Sequence, residues 1–231
     1  MTMKRTLIFV LAGAMAASAS HAQVCQNMFP QEEGTVLTYV NYDRKEKVTG
    51  STETSLKDKK EIPGGMSVIL SSVHKDDRGE KILENEVELE CREGVIYFDA
   101  RSLLDPNTMS AYESMEVEIT GENPELPLDA APGTSLKDGN VTATVSSGGI
   151  KIMTIQVELT NRKVEAREEI ETPAGTFECI KYSYDTMTRA GFVRANFKGI
   201  DWYSPKYGTI RSESYNSKGK PAGSMVLESI D

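Results

Sequence analysis

Histidine is almost missing from this sequence: His21 and His74 are the only two in 231 residues. A histidine-based catalytic triad therefore has at most one base to draw on. No H-E-x-x-H, no histidine pair and no C-x-x-C occurs, so a zinc site with the usual ligands has no support. Neither G-x-x-x-x-G-K-[ST] nor a strand-linked G-x-G-x-x-G is present, which leaves no nucleotide cradle. No cofactor is expected. Positive charge is also short: 26 Lys and Arg stand against 35 Asp and Glu, for a net charge of −9. Nucleic-acid binding needs a basic face to release counterions from phosphates, so a nucleic-acid partner is not expected. With 18 Gly, 9 Pro and 39% hydrophobic residues, the chain is neither collagen-like nor disordered.

Long apolar runs are absent too. The longest, Leu7 to Ala17, is shorter than the ~20 residues that cross a bilayer. It follows Lys4 and Arg5 and precedes Ser20-His21-Ala22, the order of a secretory signal cut before Gln23. Residues 1–22 are therefore read as a cleaved signal peptide and 23–231 as one β-barrel-like domain, exported and without a membrane span. Ala22-Gln23-Val24 before Cys25 fits a lipoprotein signal poorly. Loss of Lys4 and Arg5 takes the net charge from −9 to −11 and leaves His74 as the sole histidine. Of the three cysteines, Cys25, Cys91 and Cys179, export permits one bridge. Cys25 and Cys91 are the favoured pair, since the mature N-terminus needs an anchor; three buried thiols are the alternative.

What is present is alternation. Val36–Tyr42, Val48–Leu56, Met66–Val73 and Leu83–Cys91 read as strands separated by turn residues. In Leu83–Cys91 the carboxylates Glu84, Glu86, Glu88 and Glu90 share one parity; Leu83, Val87, Leu89 and Cys91 share the other, with Asn85 the exception. Alternate side chains of a strand face opposite ways, so this strand is wet on its acidic face and buried on the other. Alternation fails over 99–114, where Asp105-Pro106 limits any helix to a short one. Pro124, Pro127 and Pro132 mark 122–134 as an extended connector. Further strands follow: Val141–Val145, Ile150–Leu159, Lys163–Glu171, Phe177–Tyr184, Phe192–Phe197, one opening at Trp202, Tyr207–Tyr215 and Ser224–Ile230. About a dozen short strands and no long amphipathic helix predict an all-β fold. The expected form is a curled antiparallel sheet, an open or closed barrel, with a greasy inside and an acidic outside.

Few residues offer chemistry. His74 sits beside a charged turn and reads as surface. Ser72-x-x-Lys75 lacks the helix start and companion motifs that a serine–lysine acylase requires. The glutamate row of 84–90 is flat and does not converge as a calcium site must. No catalytic residue and no metal ligand is assigned. The aromatic cluster Trp202, Tyr203 and Tyr207, with Phe192 upstream, is the candidate ligand wall, because aromatics line the mouths of β-barrels.

Three stretches carry a resemblance. They are Cys25…Phe29-Pro30…Gly34-Thr35…Tyr42-Asp43-Arg44-Lys45; Leu126-Pro127…Pro132-Gly133-Thr134; and Asn161-Arg162-Lys163-Val164 through Trp202-Tyr203-Ser204-Pro205-Lys206-Tyr207-Gly208-Thr209. Together they resemble the TapB-like, or DUF3108-like, exported proteins of gram-negative bacteria, which have no assigned function. The resemblance implies a curled sheet similar in outline to the half-barrel lipoprotein carriers of the periplasm. The resulting expectation is a periplasmic, non-enzymatic protein that binds an apolar small molecule or an envelope protein. A structural or assembly factor for another envelope protein is the alternative, and a carboxylate-based hydrolase the least favoured.

Overall fold

Strand alternation governs the structure as it does the sequence. The computed structural model describes residues 25–29, 32 and 34–231; the expected signal at 1–22 lies outside them. The strands are β1 (Val36–Asp43), β2 (Val48–Ile62), β3 (Gly65–Asp76), β4 (Lys81–Arg92), β5 (Val95–Phe98), β6 (Glu116–Glu122) and β7 (Glu125–Pro127). They continue with β8 (Gly139–Ser147), β9 (Ile150–Thr172), β10 (Gly175–Ala190), β11 (Val193–Ser204), β12 (Gly208–Asn216) and β13 (Pro221–Ile230). All thirteen form one antiparallel sheet in the order β6-β8-β9-β10-β11-β12-β13-β1-β2-β3-β4-β5-β7.

Chain connectivity forces this sheet to curl into a half-barrel. β6 and β7 lie at opposite ends of the strand order, yet only Asn123 and Pro124 join them. At 3.8 Å per Cα step, those strand ends sit within about 11 Å of each other. The first and last strands meet in mid-sheet, where Val36 N–H donates to the Asp231 carbonyl (2.9 Å) and Asp231 N–H to that of Val36 (3.0 Å). The antiparallel order puts the β1–β2, β3–β4, β8–β9, β10–β11 and β12–β13 turns on one rim.

Residues 99–115 cross between the sheet's two ends, where alternation had failed. Asp99 caps a 3₁₀ turn (Ala100–Leu103) by accepting from Arg101 N–H at 2.9 Å. Asp105 caps the short helix α1 (Pro106–Ser110) by accepting from Thr108 N–H at 2.8 Å, with Pro106 in the first turn, where its missing N–H costs nothing. The glutamates of β4 face outward as expected, with Glu84, Glu86 and Glu88 exposed and Leu89 and Cys91 buried. Two boundaries differ from the sequence reading. Ile150–Leu159 and Lys163–Glu171 are one bent strand, β9, and the strand opening at Trp202 continues the one before it as β11.

The larger core gathers Leu37, Val68, Ile96, Ile180, Ile210 and Leu227, all essentially sealed from solvent; a smaller one holds Val141, Ala143, Ile155 and Val157 beneath the 3₁₀ turn. Cys25 and Cys91 form a disulfide across 66 residues, with Cα atoms 5.3 Å apart, while Cys179 stays a buried thiol. In the chain-entropy model a loop of that length stabilises by about 4 kcal/mol. The bridge ties the segment before β1 to the end of β4.

Candidate functional site

The inside of the curl is not uniformly greasy. A cavity of about 360 Å³ lies between the two walls. Leu70, Val87, Leu89, Phe98, Tyr203 and Met225 give it an apolar wall, and Ser102 and Leu103 of the 3₁₀ turn close one side. The rest of the lining is polar, and the sheet's register explains how it came to face inward.

Arg162 enters through a bulge. Ile155, Val157 and Leu159 are the buried parity of early β9, and strict alternation would next bury Asn161 and Lys163. Instead Asn161 adopts φ 53°, and residues 161 and 162 together face the single residue Tyr184 of β10. An extra residue shifts the phase of a strand by one. Arg162 and Val164 are therefore the buried pair, at 3% and 0% exposure.

The guanidinium of Arg162 is poorly matched. Its Nη1 donates to the Lys137 carbonyl at 2.5 Å, and its Cζ lies 6.0 Å from the Tyr182 ring centroid. Its Nε–H has no acceptor. Among the described residues no carboxylate stands within ion-pair distance; Glu125, Asp138 and Asp201 act on it only at longer range. Burial lowers its pKa, yet arginine remains charged in proteins. A buried cation without a partner anion is costly unless something else supplies one.

Asp201 is the carboxylate on the cavity wall. Tyr182 of β10 and Ser212 of β12 flank it in register, and Tyr184 Oη donates to its Oδ1 at 3.3 Å. Tyr184 reaches it across Gly199, its register partner, where a Cβ would sit 2.2 Å from the tyrosine ring. Burial pushes the Asp201 carboxyl up, against the hydrogen bonds of Ser212, Tyr182 and Tyr184, which favour the charged form. Burial likewise raises the phenols of Tyr182 and Tyr184.

On the opposite wall His74 is half-buried rather than a surface residue. Its Nε2–H donates to Asn85 Oδ1 at 2.9 Å, which leaves Nδ1 to accept the Thr52 hydroxyl at 3.1 Å. Desolvation is the largest influence on its pKa and lowers it, so the neutral ring is favoured. Asn85, the one polar residue in the apolar parity of Leu83–Cys91, is thus the partner of the half-buried histidine. Thr54 Oγ1 and Ser72 Oγ pair at 3.0 Å beside it.

The four aromatics singled out by sequence do not gather in one place. Tyr203 alone of them lines the cavity, its ring edge-on to Phe98 with centroids 5.4 Å apart. Tyr207 packs edge-on against Phe177, centroids 5.2 Å apart, and its carbonyl accepts from Tyr39 Oη at 3.4 Å. Trp202 is buried elsewhere. Its Nε1–H donates to Glu168 Oε1 at 2.7 Å, between Lys181 (Nζ 4.9 Å from the ring) and Arg211 (Cζ 5.6 Å). Phe192 stands fully exposed at the β10–β11 turn, where no strand or loop among the described residues covers the tip. Arg162, Asp201, Tyr182 and Tyr184 were the residues that sequence reasoning passed over.

Among the described residues no three His, Cys, Asp or Glu side chains converge as a metal site, and no helix is long and apolar enough to cross a membrane. A wider surface groove of about 800 Å³ runs between β4, α1 and β6; Lys81 and Glu84 on its wall already pair with each other at 2.5 Å.

Comparison with known proteins agrees with this architecture. A solved structure from Bacteroides fragilis, described as an exported protein with a YmcC-like fold, superposes with a TM-score of 0.76 at 24% identity, over 88% of this chain and 98% of the other. A second, from Parabacteroides distasonis and described as a lipoprotein, gives 0.76 at 24% identity over 88% and 97%. No curated protein matches the chain significantly. The DUF3108-like family model matches residues 32–227, and the chain belongs to that family.

Proposed function

We propose that this is a periplasmic, non-enzymatic protein that holds a small amphiphile inside its curled sheet, with the apolar body against the Leu70–Phe98 wall and an anionic head on Arg162. The observation that carries the reading is the buried Arg162 guanidinium, with no ion-pair partner or Nε–H acceptor among the described residues, on the wall of a mostly apolar cavity. A carboxylate head would supply the missing anion and accept from Nε–H. Charge-assisted hydrogen bonds of this kind contribute about 1.5–3 kcal/mol. At roughly 30 Å³ per water-sized group, the cavity takes about a dozen non-hydrogen atoms, which is the size of decanoate.

Binding rather than turnover fits the rest of the wall. A two-carboxylate hydrolase needs facing acids, and Asp201 is the only acid lining the cavity among the described residues. His74 is tied to Thr52 and Asn85 on both ring nitrogens. The export signal expected at 1–22 and the descriptions of the two solved neighbours as an exported protein and a lipoprotein support the periplasmic location.

Calorimetric titration with decanoate and with decanol tests the reading. Decanoate is expected to bind at least tenfold more tightly than decanol, and Arg162→Gln to remove that preference while melting as the wild type does. Absence of binding by either compound would overturn the carrier reading. Equal binding of both would overturn the anionic head alone.

A further inference from the structure

The same rim that carries Phe192 gathers the molecule's exposed apolar side chains. Seven large hydrophobic residues are exposed among those described: Val48, Met115, Ile150, Ile152, Phe192, Val193 and Phe197. Five of them belong to one corner. Ile150 and Ile152 (70% and 55% exposed) open β9 at the β8–β9 turn, and Phe192 and Val193 (108% and 70%) form the β10–β11 tip. Met115 directly precedes Glu116, which pairs with Ser146 at the end of β8. The β10–β11 tip lies against the first residues of β9, since Gly191 N–H donates to the Thr154 carbonyl at 3.2 Å. Scattered exposed hydrophobics are ordinary, but a cluster at one corner marks an interaction surface.

Charge separates this corner from the rest of the chain. The segments 139–157, 186–200 and 214–227 contain no Asp or Glu, in a chain with 35 of them. Those segments form the β8–β9, β10–β11 and β12–β13 turns on the same rim, and they carry Lys151, Arg189, Arg194, Lys198, Lys218 and Lys220. Glu116 and Glu118 of β6 border the corner on one side. Apolar tips set among cations, in an otherwise acidic molecule, match a lipid surface: the tips enter the acyl boundary while Lys and Arg meet phosphate headgroups. An acidic protein partner would use the cations but has no need of a fully exposed Phe192 with Ile150 and Ile152 on the adjoining strand.

We propose that the corner formed by the β8–β9 and β10–β11 turns docks the protein on an anionic bilayer surface, with Phe192, Val193 and Ile150 entering the lipid and the cations of the acid-free segments around these turns holding the headgroups. This surface is separate from the cavity and does not depend on what the cavity binds.

Co-sedimentation of the purified protein with vesicles decides the matter. Vesicles of phosphatidylcholine with about one third phosphatidylglycerol are expected to pull the protein down, and pure phosphatidylcholine vesicles to retain several-fold less. Salt above the physiological range is expected to release it, because screening shortens the reach of the cations. The double substitution Phe192→Ser with Val193→Ser touches no packed residue, so its melting temperature should match the wild type while vesicle binding falls at least tenfold. Arg189→Gln with Arg194→Gln should erase the preference for phosphatidylglycerol. Failure of anionic vesicles to retain the protein overturns the proposal, as does binding that the Phe192 and Val193 substitutions leave unchanged, since that would be charge alone.

Discussion

Trp202 and Arg162 sit within a few strands of each other and use the same ingredients: aromatic rings, cations and a carboxylate. Around Trp202 the ingredients satisfy one another. Glu168 accepts from the indole at 2.7 Å and pairs with Lys181 at 3.2 Å, and Arg211 pairs with Glu213. Arg211 Nε is also without an acceptor, but its side chain is 42% exposed and its guanidinium already has an anion. Around Arg162 no carboxylate among the described residues pairs directly; Asp201 feels the guanidinium only through its field and takes its hydrogen bonds from two tyrosines and a serine. A cluster that closes its own charges fixes the fold; one that leaves a buried cation open has an opening for a ligand.

Substitutions separate the two regions, and the largest effect falls on the closed one. Trp202→Ala should lower unfolding stability by about 3–5 kcal/mol, as loss of a buried aromatic does, in a denaturant melt. Decanoate affinity at the folded protein should stay unchanged. Arg162→Gln should do the reverse. A loss of decanoate affinity by about ten- to a hundredfold, or about 1.4–2.8 kcal/mol, is expected in calorimetry, with stability equal to or above the wild type because a buried charge is gone.

Proton linkage gives the third contrast. The Asp201 carboxyl is raised on folding, so the folded state holds its proton where the unfolded state has lost it. Its contribution to stability is present below the unfolded pKa of about 3.9 and is lost as pH rises through the folded pKa. Asp201→Asn keeps an acceptor for Tyr184 and should flatten that decline in melts between pH 4 and 8. His74 has the opposite sign. Its pKa is lowered on folding, so stability falls as pH drops below about 6.5, and His74→Gln should remove that slope. The smallest effect belongs to Lys181→Gln beside Trp202. Its ion pair is partly solvated, and a change of no more than about 1 kcal/mol is expected in the same melts.

Much of the scaffold was readable because strands write their burial with a period of two. The outward glutamates of β4 and the short helix after Asp105 follow from local rules, whereas the Cys25–Cys91 bridge was a preference among three possible pairings. The polar interior was harder. Arg162 faces inward only because Asn161 breaks the phase of β9, and the sequence sign of that break was the gap between Leu159 and Lys163. Asn85 interrupted the apolar row of β4, and its reason, His74, lies on the neighbouring strand. Asp201 gave no signal: its position between Tyr182 and Ser212 depends on the pairing of three strands. Trp202 drew attention as the only tryptophan, but rarity of a residue type says nothing about whether its surroundings leave it unmatched.

Nuclear magnetic resonance of protein with labelled arginine observes the Nε–H of Arg162 directly. Titration with decanoate should move the Arg162 Nε–H signal to the position of a carboxylate-bonded guanidinium, while decanol leaves it in place. A signal that stays still when decanoate binds would contradict the account.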